Sequence, residues 1–239
     1  MTPTNCRKTR EIRAVVFDWR GTLVSELDPK GWVAEALRRA GRSSDRDAVT
    51  EVLAAIHTPE LKQRLQSPHG NTSTERHRET FYGVFEDANL DSEVADALWD
   101  IDSDPSYNHF ADDTASTFDA LRANDCKIGI LSNIHFDIRP LFAEAGLLDR
   151  VETFVMSFQC GLQKPDPRIF LRALTDLGTS AEETLMVGDR PSRDGAAVDV
   201  GMRTLLVPTL RDPRDCRLDL VTAAVRPVEQ PELAGSAAH

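Results

Sequence analysis

The sequence lacks the features that define several classes of protein. No apolar run approaches the ~18–20 residues that cross a bilayer, so we expect no membrane partner. The four cysteines, Cys6, Cys126, Cys160 and Cys216, show no CxxC spacing, which favours reduced thiols over disulfides or zinc. The charged N-terminus, MTPTNCRKTREIR, lacks the apolar segment of a signal peptide. A cytoplasmic protein is therefore expected.

Basic residues are also scarce. The chain has 28 Lys and Arg against 39 Asp and Glu, a formal net charge of −11. Such a surface repels phosphate backbones, so we expect no nucleic-acid partner. A small anionic substrate remains compatible, because a metal or a few cations can reverse the potential inside a cleft. With 239 residues, 41% of them hydrophobic, the chain can form one sizeable core with a smaller insert. Either a monomer or a homodimer fits this composition.

Short apolar runs predict the strands of a buried parallel sheet, because they are rich in β-branched and aromatic residues and alternate with helical segments. In the clearest helix, Pro167–Leu177, proline takes an early position and Gly178 follows the last turn. The alternation predicts an α/β fold with a Rossmann-like, doubly wound parallel sheet. The predicted strands are Ala14–Phe17, Lys127–Leu131, Thr153–Met156, Thr184–Val187 and Thr204–Pro208.

Residues 26–112 break the alternation. Their apolar residues recur at helical spacing, as in Trp32, Val33, Ala36, Leu37 and Ala40, which predicts an all-helical cap domain inserted into the sheet domain. The predicted sheet domain is discontinuous, comprising residues 1–25 and 113–239. Residues 1–10 and the tail from about residue 222 show no periodicity, so we expect both to be loose.

The residues that follow the predicted strands form the candidate site, because ligands bind at the carboxyl ends of the strands in an open parallel sheet. Carboxylate oxygens are the ligands that Mg²⁺ prefers, while a hydroxyl, backbone amides and a lysine can neutralise a phosphoryl group. One carboxylate can also act as a nucleophile and form an aspartyl-phosphate. The residues in question are Asp18, Ser132, Asn133, Lys164, Asp189 and Asp194.

Four segments in this order resemble the motifs of the haloacid dehalogenase (HAD) superfamily, whose members have a Rossmann-like core and, in many cases, a helical cap. The resemblance covers residues 12–24 and 113–208 and implies that Asp18 is the nucleophile. It implies a Mg²⁺ ion held by Asp18, the backbone carbonyl of Arg20 and Asp189, with Asp194 as a further ligand. Ser132 and Lys164 would bind the phosphoryl group. The segments are FDWRGTL (17–23), LSN (131–133), KPDP (164–167) and VGD (187–189) followed by Asp194.

Arg20 departs from the pattern of the phosphatases in this superfamily, which carry a second, acid–base aspartate at that position. Arginine stays charged and cannot exchange the proton, and loss of a positioned acid–base residue removes ~10²–10⁴ in rate. We therefore expect atypical proton transfer. The hypothesis is that Arg20 binds substrate charge, with Ser132, Asn133 and Lys164, and that His135 overhangs the site as a substitute acid–base or substrate-binding group.

Three functions remain open at this point. A Mg²⁺-dependent phosphatase or phosphotransferase acting on a small phosphorylated metabolite fits the motifs best. A C–halogen or C–P bond hydrolase is the second possibility, because the first motif also resembles that of phosphonoacetaldehyde hydrolases. Those enzymes use a cap lysine, for which Lys62 is the candidate. A non-catalytic binding protein is the third, motivated by Arg20. The motifs specify neither the substrate nor the pathway.

Overall fold

A computed structural model describes residues 11–65, 67 and 70–225. Five parallel strands form the main sheet in the order β5-β4-β1-β6-β7, and two short strands form a separate antiparallel pair. The predicted fold class is confirmed. The strands are β1 (Ala14–Phe17), β2 (Val24–Ser25), β3 (His109–Phe110), β4 (Lys127–Ser132), β5 (Thr153–Met156), β6 (Thr184–Gly188) and β7 (Arg203–Leu206).

Ten α-helices accompany these strands in the described part of the chain, and none of them is long and apolar enough to cross a membrane. Five follow β2 and form the cap, a name used below for α1–α5. The helices are α1 (Pro29–Arg39), α2 (Arg46–Ile56), α3 (Pro59–Leu65), α4 (Thr74–Asp87), α5 (Ser92–Asp102), α6 (Thr114–Arg122), α7 (Arg139–Glu144), α8 (Ser157–Cys160), α9 (Pro167–Leu177) and α10 (Asp219–Val225).

Both faces of the main sheet are buried, which explains why its strands are continuously apolar rather than alternating. Val15 and Phe17 pack with α6 and α10 on one face, while Ala14 and Val16 pack with α9 on the other. Helix α9 follows its predicted bounds: the Asp166 side chain accepts a hydrogen bond near its start, and Gly178 ends it in a left-handed conformation.

The cap has a core of its own. Val33, Leu37, Ile56, Val84 and Leu98 belong to one buried apolar cluster formed within α1–α5. Among the described residues between 26 and 108 there is no strand, in agreement with the helical spacing of this region. The cap therefore has a hydrophobic cluster of its own, separate from the two clusters on the faces of the main sheet.

Strands β2 and β3 lie where the chain leaves and re-enters the sheet domain. Val24 pairs with Phe110, and Ser25 pairs with His109. These strands were not predicted, because two residues are too few to show a period, and β3 interrupts the helical character expected up to residue 112. They join the two connections to the cap side by side.

Both ends of the chain were expected to be loose. The tail expected to be irregular from about residue 222 is helical as far as Val225, because Val221 and Val225 contribute to the core beside the sheet. Residues 1–10 and 226–239 lie outside the described residues. Cys126, Cys160 and Cys216 are free thiols, as expected, and Cys6 is not among the described residues.

Phe118 provides a test of the packing beside the sheet. Its ring is fully buried against Phe17, with ring centroids 5.4 Å apart. We expect Phe118→Ala to lower the free energy of unfolding by about 3–5 kcal/mol, because it removes apolar burial and leaves a cavity. Urea titration followed by circular dichroism measures this. Leu171→Ala is the control, since Leu171 is 49% exposed, and equal losses in both variants would contradict the packing described here.

Candidate active site

Three adjacent strands deliver the candidate catalytic residues to one edge of the main sheet. Asp18 follows β1, Ser132 ends β4 and Asp189 follows β6, and β4 and β6 both pair with β1. The edge faces the cap across a cavity of about 290 Å³. Of the predicted site residues, the following line this cavity: Asp18, Arg20, Ser132, Asn133, His135, Lys164 and Asp194.

Lys164 lies at the centre of the site. Its buried ammonium group donates hydrogen bonds to Asp18 Oδ1 at 2.5 Å, Asp194 Oδ1 at 2.6 Å and the carbonyl oxygen of Leu131 at 3.0 Å. Asn133 holds the Lys164 backbone: its side chain accepts from the Lys164 amide at 2.8 Å and donates to the Lys164 carbonyl at 2.9 Å. The Asn133 side chain, a predicted phosphate ligand, is thus engaged in positioning the lysine.

Burial and shared charge determine the proton affinities here. Burial raises the pKa of Asp18 to about 6, and the charge of Asp194 adds to this effect while Lys164 opposes it. Burial would lower the pKa of Lys164, but Asp18 and Asp194 outweigh it and raise that pKa. One ammonium group therefore serves two buried carboxylates, and the cluster has unbalanced negative charge that a cation would relieve.

Asp18, Asp189 and Asp194 form what we call the aspartate cluster, because each offers a carboxylate oxygen within 4.8 Å of the others. Asp189 Oδ2 accepts a hydrogen bond from Thr209 at 2.8 Å. Asp189 Oδ1 is buried without a hydrogen bond among the described residues, and Arg190 Nε lies 4.0 Å from it. A buried carboxylate oxygen that accepts no hydrogen bond is costly. The all-oxygen donors and this atom fit Mg²⁺.

The remaining predicted metal ligand is engaged differently. Both carboxylate oxygens of Asp194 have protein partners, since Oδ1 accepts from Lys164 and Oδ2 accepts from the Arg190 amide at 2.9 Å.

Gly21 places its turn directly against the aspartate cluster. It adopts φ +81°, and a Cβ atom there would lie 2.5 Å from Asp189 Oδ2. Only glycine fits this position without displacing the aspartate.

Arg20 points toward the cap. Its guanidinium group donates to the Asn108 side chain at 2.9 Å, to Asp102 Oδ1 at 3.2 Å and to the Asp102 carbonyl oxygen at 2.7 Å. It also lies 5.5 Å from the ring centroids of Trp19 and Phe136. Although Arg20 lines the cavity, its charge is already balanced by Asp102 at the end of α5. The arginine therefore links the sheet domain to the cap.

His135 belongs to a histidine cluster with His77 and Asp102. The two imidazole rings stack with centroids 3.9 Å apart, His77 Nε2 lies 3.0 Å from Asp102 Oδ2, and His135 Nε2 lies 3.0 Å from the Ser103 hydroxyl. Burial lowers the pKa of His135 to about 3, and the charge of His77 contributes. His135 is thus neutral at neutral pH. It is therefore not in the imidazolium form that could protonate a leaving group.

Asp102 is the most important residue of this region that the sequence patterns did not indicate. Burial alone would raise its pKa, but Arg20, His77 and His135 hold that pKa well below the usual range of an aspartate. One local signal was available, because a carboxylate at the C-terminal end of a helix is disfavoured by the helix dipole. Its partner Asn108 follows the same helix, and no sequence pattern links either residue to Arg20.

Two arginines in the segment between Asp189 and Asp194 were also overlooked. Arg190 donates to Glu26 at 3.3 Å. Arg193 lines the cavity, and among the described residues its guanidinium group has no hydrogen bond or ion pair. Burial lowers the pKa of Arg193, and the neighbouring charge of Arg190 adds to this. One other candidate lies elsewhere: Lys62 is exposed, and it is not among the described residues that line the cavity.

Further contacts hold the cap against the sheet domain. The buried side chain of Gln163 donates to the Ser67 carbonyl at 2.9 Å and accepts from the Asn71 amide at 2.7 Å. Thr74 at the start of α4 donates to the His135 carbonyl at 2.5 Å. Together with the Arg20 contacts, these hydrogen bonds enclose the cavity on several sides.

A Rossmann-like sheet with an aspartate cluster beneath a helical cap defines a known class of hydrolase, and comparison with known proteins agrees. The family model described as haloacid dehalogenase-like hydrolase matches residues 12–200. The chain therefore belongs to the haloacid dehalogenase-like hydrolases.

Individual relatives are distant. Haloacid dehalogenase-like hydrolase domain-containing protein 3 of Bos taurus is 27% identical over 218 residues, which cover 85% of each chain. The phosphoserine phosphatase of Thermus thermophilus is 35% identical over 97 residues, 39% of each chain. The crystal structure of a HAD phosphatase from Thermococcus onnurineus superimposes with a TM-score of 0.57 at 27% identity, covering 82% of this chain and 86% of that one.

The metal site is testable without any substrate. We expect Asp189→Ala to lower the affinity for Mg²⁺ at least ~10-fold, because it removes a carboxylate oxygen that is buried and accepts no hydrogen bond among the described residues. Isothermal titration calorimetry with MgCl₂ measures this. Asp199→Ala is the matched control, since Asp199 is an exposed aspartate in the same region of the chain. Equal affinities for wild type and Asp189→Ala would remove Asp189 from the metal site.

Proposed function

We propose that this chain is a Mg²⁺-dependent phosphatase or phosphotransferase that acts on a small phosphorylated metabolite through an aspartyl-phosphate at Asp18. The observation behind this proposal is the position of Asp18. It lines the cavity, accepts a hydrogen bond from the Lys164 ammonium group and lies within 4.8 Å of carboxylate oxygens of Asp189 and Asp194. The relatives named as phosphatases support the same reaction class.

In the proposed reaction, a carboxylate oxygen of Asp18 attacks phosphorus and the bond from phosphorus to the leaving-group oxygen breaks. Water then hydrolyses the aspartyl-phosphate, which restores Asp18 and releases inorganic phosphate. A Mg²⁺ ion held by Asp18, Asp189 and the backbone carbonyl of residue 20 would neutralise phosphoryl charge when bound. Lys164 stabilises the phosphoryl oxygens, and the Ser132 hydroxyl, which has no hydrogen bond among the described residues, is free to donate to them.

The cap would exclude water and select the substrate. Because Arg20 replaces the acid–base aspartate and His135 is neutral at neutral pH, the leaving group receives little help from a protein acid. We infer that good substrates have stable leaving groups or supply the proton themselves. In this account Arg20 acts electrostatically: it balances Asp102 and fixes the end of α5 above Asp18.

The alternative reactions receive less support. Hydrolysis of a C–P bond through a Schiff base needs a reactive lysine in the cavity, whereas Lys62 is exposed and Lys164 is paired with two carboxylates. Hydrolysis of a C–halogen bond by an aspartate needs no metal, whereas the aspartate cluster, with a buried Asp189 oxygen that accepts no hydrogen bond among the described residues, favours one. A purely binding role leaves the position of Asp18 beside Lys164 unexplained.

A substrate panel tests the proposed reaction directly. We expect the wild type to release phosphate from 4-nitrophenyl phosphate or small phosphate esters with Mg²⁺ and not with EDTA. Asp18→Asn should reduce turnover by at least ~10³-fold, because an amide is a poor nucleophile. Asp199→Asn is the control for an exposed aspartate and should match the wild type. Halide release from haloacids, with phosphate release absent, would replace this proposal with the carbon-attacking reaction.

Arg20 provides a second test, and the structure determines its design. Arg20→Asp alone would place a second carboxylate beside that of Asp102, so we combine it with Asp102→Asn. We expect this double variant to hydrolyse esters with poor leaving groups ~10-fold or more faster than the wild type, about 1.4 kcal/mol off the barrier, since it regains an acid–base group.

The matched control is Arg20→Gln with Asp102→Asn, which loses the same ion pair without gaining a carboxylate at position 20. Phosphate release from alkyl esters distinguishes the two variants. Equal rates in both, with Mg²⁺ binding and folding intact by calorimetry and circular dichroism, would show that the missing aspartate does not limit the reaction.

A further inference from the structure

Four cationic side chains are found among the described residues that line the cavity, and they differ in how their charge is balanced. Lys164 is paired with Asp18 and Asp194, Arg20 with Asp102, and Arg190 with Glu26. The fourth is Arg193. Within the part of the chain that the structure describes, no carboxylate lies within ion-pair distance of its guanidinium group and no acceptor is hydrogen-bonded to it.

The guanidinium group of Arg193 is available to a ligand in the cavity. Arg193 is half-buried, and arginine cannot shed its charge in a protein. It presents a planar set of donors that matches carboxylate and phosphate oxygens in a bidentate arrangement. The segment from Asp189 to Asp194 places it at the wall of the cavity, beside the aspartate cluster.

The transferring phosphoryl group does not require this arginine. Lys164 and the Ser132 hydroxyl face that group at the strand ends, and the metal held by the aspartate cluster would supply further positive charge. Arg193 is therefore surplus to the proposed phosphoryl site. A second anion would satisfy its donors and remain inside a cavity of about 290 Å³, which suits a small molecule.

We propose that Arg193 binds a second anionic group, a carboxylate or a phosphate, on the part of the substrate that leaves. The substrates would then be small phosphate esters of alcohols that already bear a negative charge. This inference rests on the proposed phosphatase function, because it assumes that the phosphoryl group occupies the site of Asp18. Arg193 would act as a specificity-determining residue, since it contacts the leaving group and not the phosphorus.

A matched pair of esters isolates the second charge. 2-Phosphoglycolate and 2-hydroxyethyl phosphate are similar in size, but the first bears a carboxylate where the second bears a hydroxymethyl group. Ethylene glycol bisphosphate is the third ester and tests a phosphate in place of the carboxylate. We expect the wild type to favour the two charged esters over 2-hydroxyethyl phosphate at least ~10-fold in kcat/KM, the effect of one charge-assisted bidentate contact. In Arg193→Gln this ratio should fall towards one, mainly through KM for the charged esters.

Two further variants make the result specific. Arg193→Lys keeps the charge but not the bidentate geometry, so it should recover part of the ratio. Arg172→Gln removes an exposed arginine of α9 that pairs with Asp176, and it should retain the full wild-type ratio. If Arg193→Gln lowers kcat/KM for all three esters by one common factor, the arginine binds the phosphoryl group instead and the inference is overturned.

A binding measurement separates this inference from the proposed reaction. 3-Phosphonopropionate and 3-hydroxypropylphosphonate are the non-hydrolysable counterparts of the first two esters, and calorimetry with Mg²⁺ present gives their dissociation constants. Tighter binding of the carboxylate analogue by the wild type, lost in Arg193→Gln, supports the role of Arg193 even if no ester is hydrolysed. Equal binding of both analogues by the wild type would overturn it even if phosphate is released.

Discussion

The buried ammonium group of Lys164 is the interaction on which the site depends. It joins Asp18 after β1, the carbonyl of Leu131 in β4 and Asp194 beyond β6, so that one charge fixes three segments of the chain. Burial raises the pKa of Asp18 to about 6 even though Lys164 opposes this effect, so the lysine favours the ionised nucleophile. The Asn133 side chain in turn fixes the lysine backbone. A rigid nucleophile and a partly unsatisfied aspartate cluster are consequences of this arrangement.

A second ion pair, between the half-buried side chains of Arg20 and Asp102, connects this site to the cap. The residue at position 20 lies two positions after the candidate nucleophile, so its direction determines what faces the phosphoryl group. The guanidinium group is drawn toward the cap because Asp102 and Asn108 offer three acceptors there. Removing one partner of this pair would leave the other charge uncompensated in a partly desolvated position. Position 20 thus contributes a contact between the domains and not a group that can transfer a proton.

The fold could be predicted from the sequence because its signals are local. Short apolar runs, helical spacing and a helix-capping residue such as Asp166 before Pro167 are each defined within a few residues. The same holds for the site residues that end strands, such as Asp18 and Ser132, since topology alone brings strand ends together. The partners of Arg20 were not predictable in this way. Asp102 and Asn108 are more than 80 residues distant in sequence, and only the packing of α5 on the sheet domain brings them near.

Local sequence patterns also did not predict the directions in which the side chains point. Arg20 and Arg193 both belong to segments that the motifs identify, yet one is balanced by Asp102 and the other, among the described residues, is not. Charge balance therefore distinguishes two arginines that composition and spacing treat alike. The paired arginine, Arg20, stabilises the contact between the domains, and Asp102 balances its charge. The other, Arg193, has no carboxylate within ion-pair distance among the described residues, although the aspartate cluster acts on its charge from further away. Its donors are therefore available to an anion, which is why we propose Arg193 rather than Arg20 for the recognition of substrate charge.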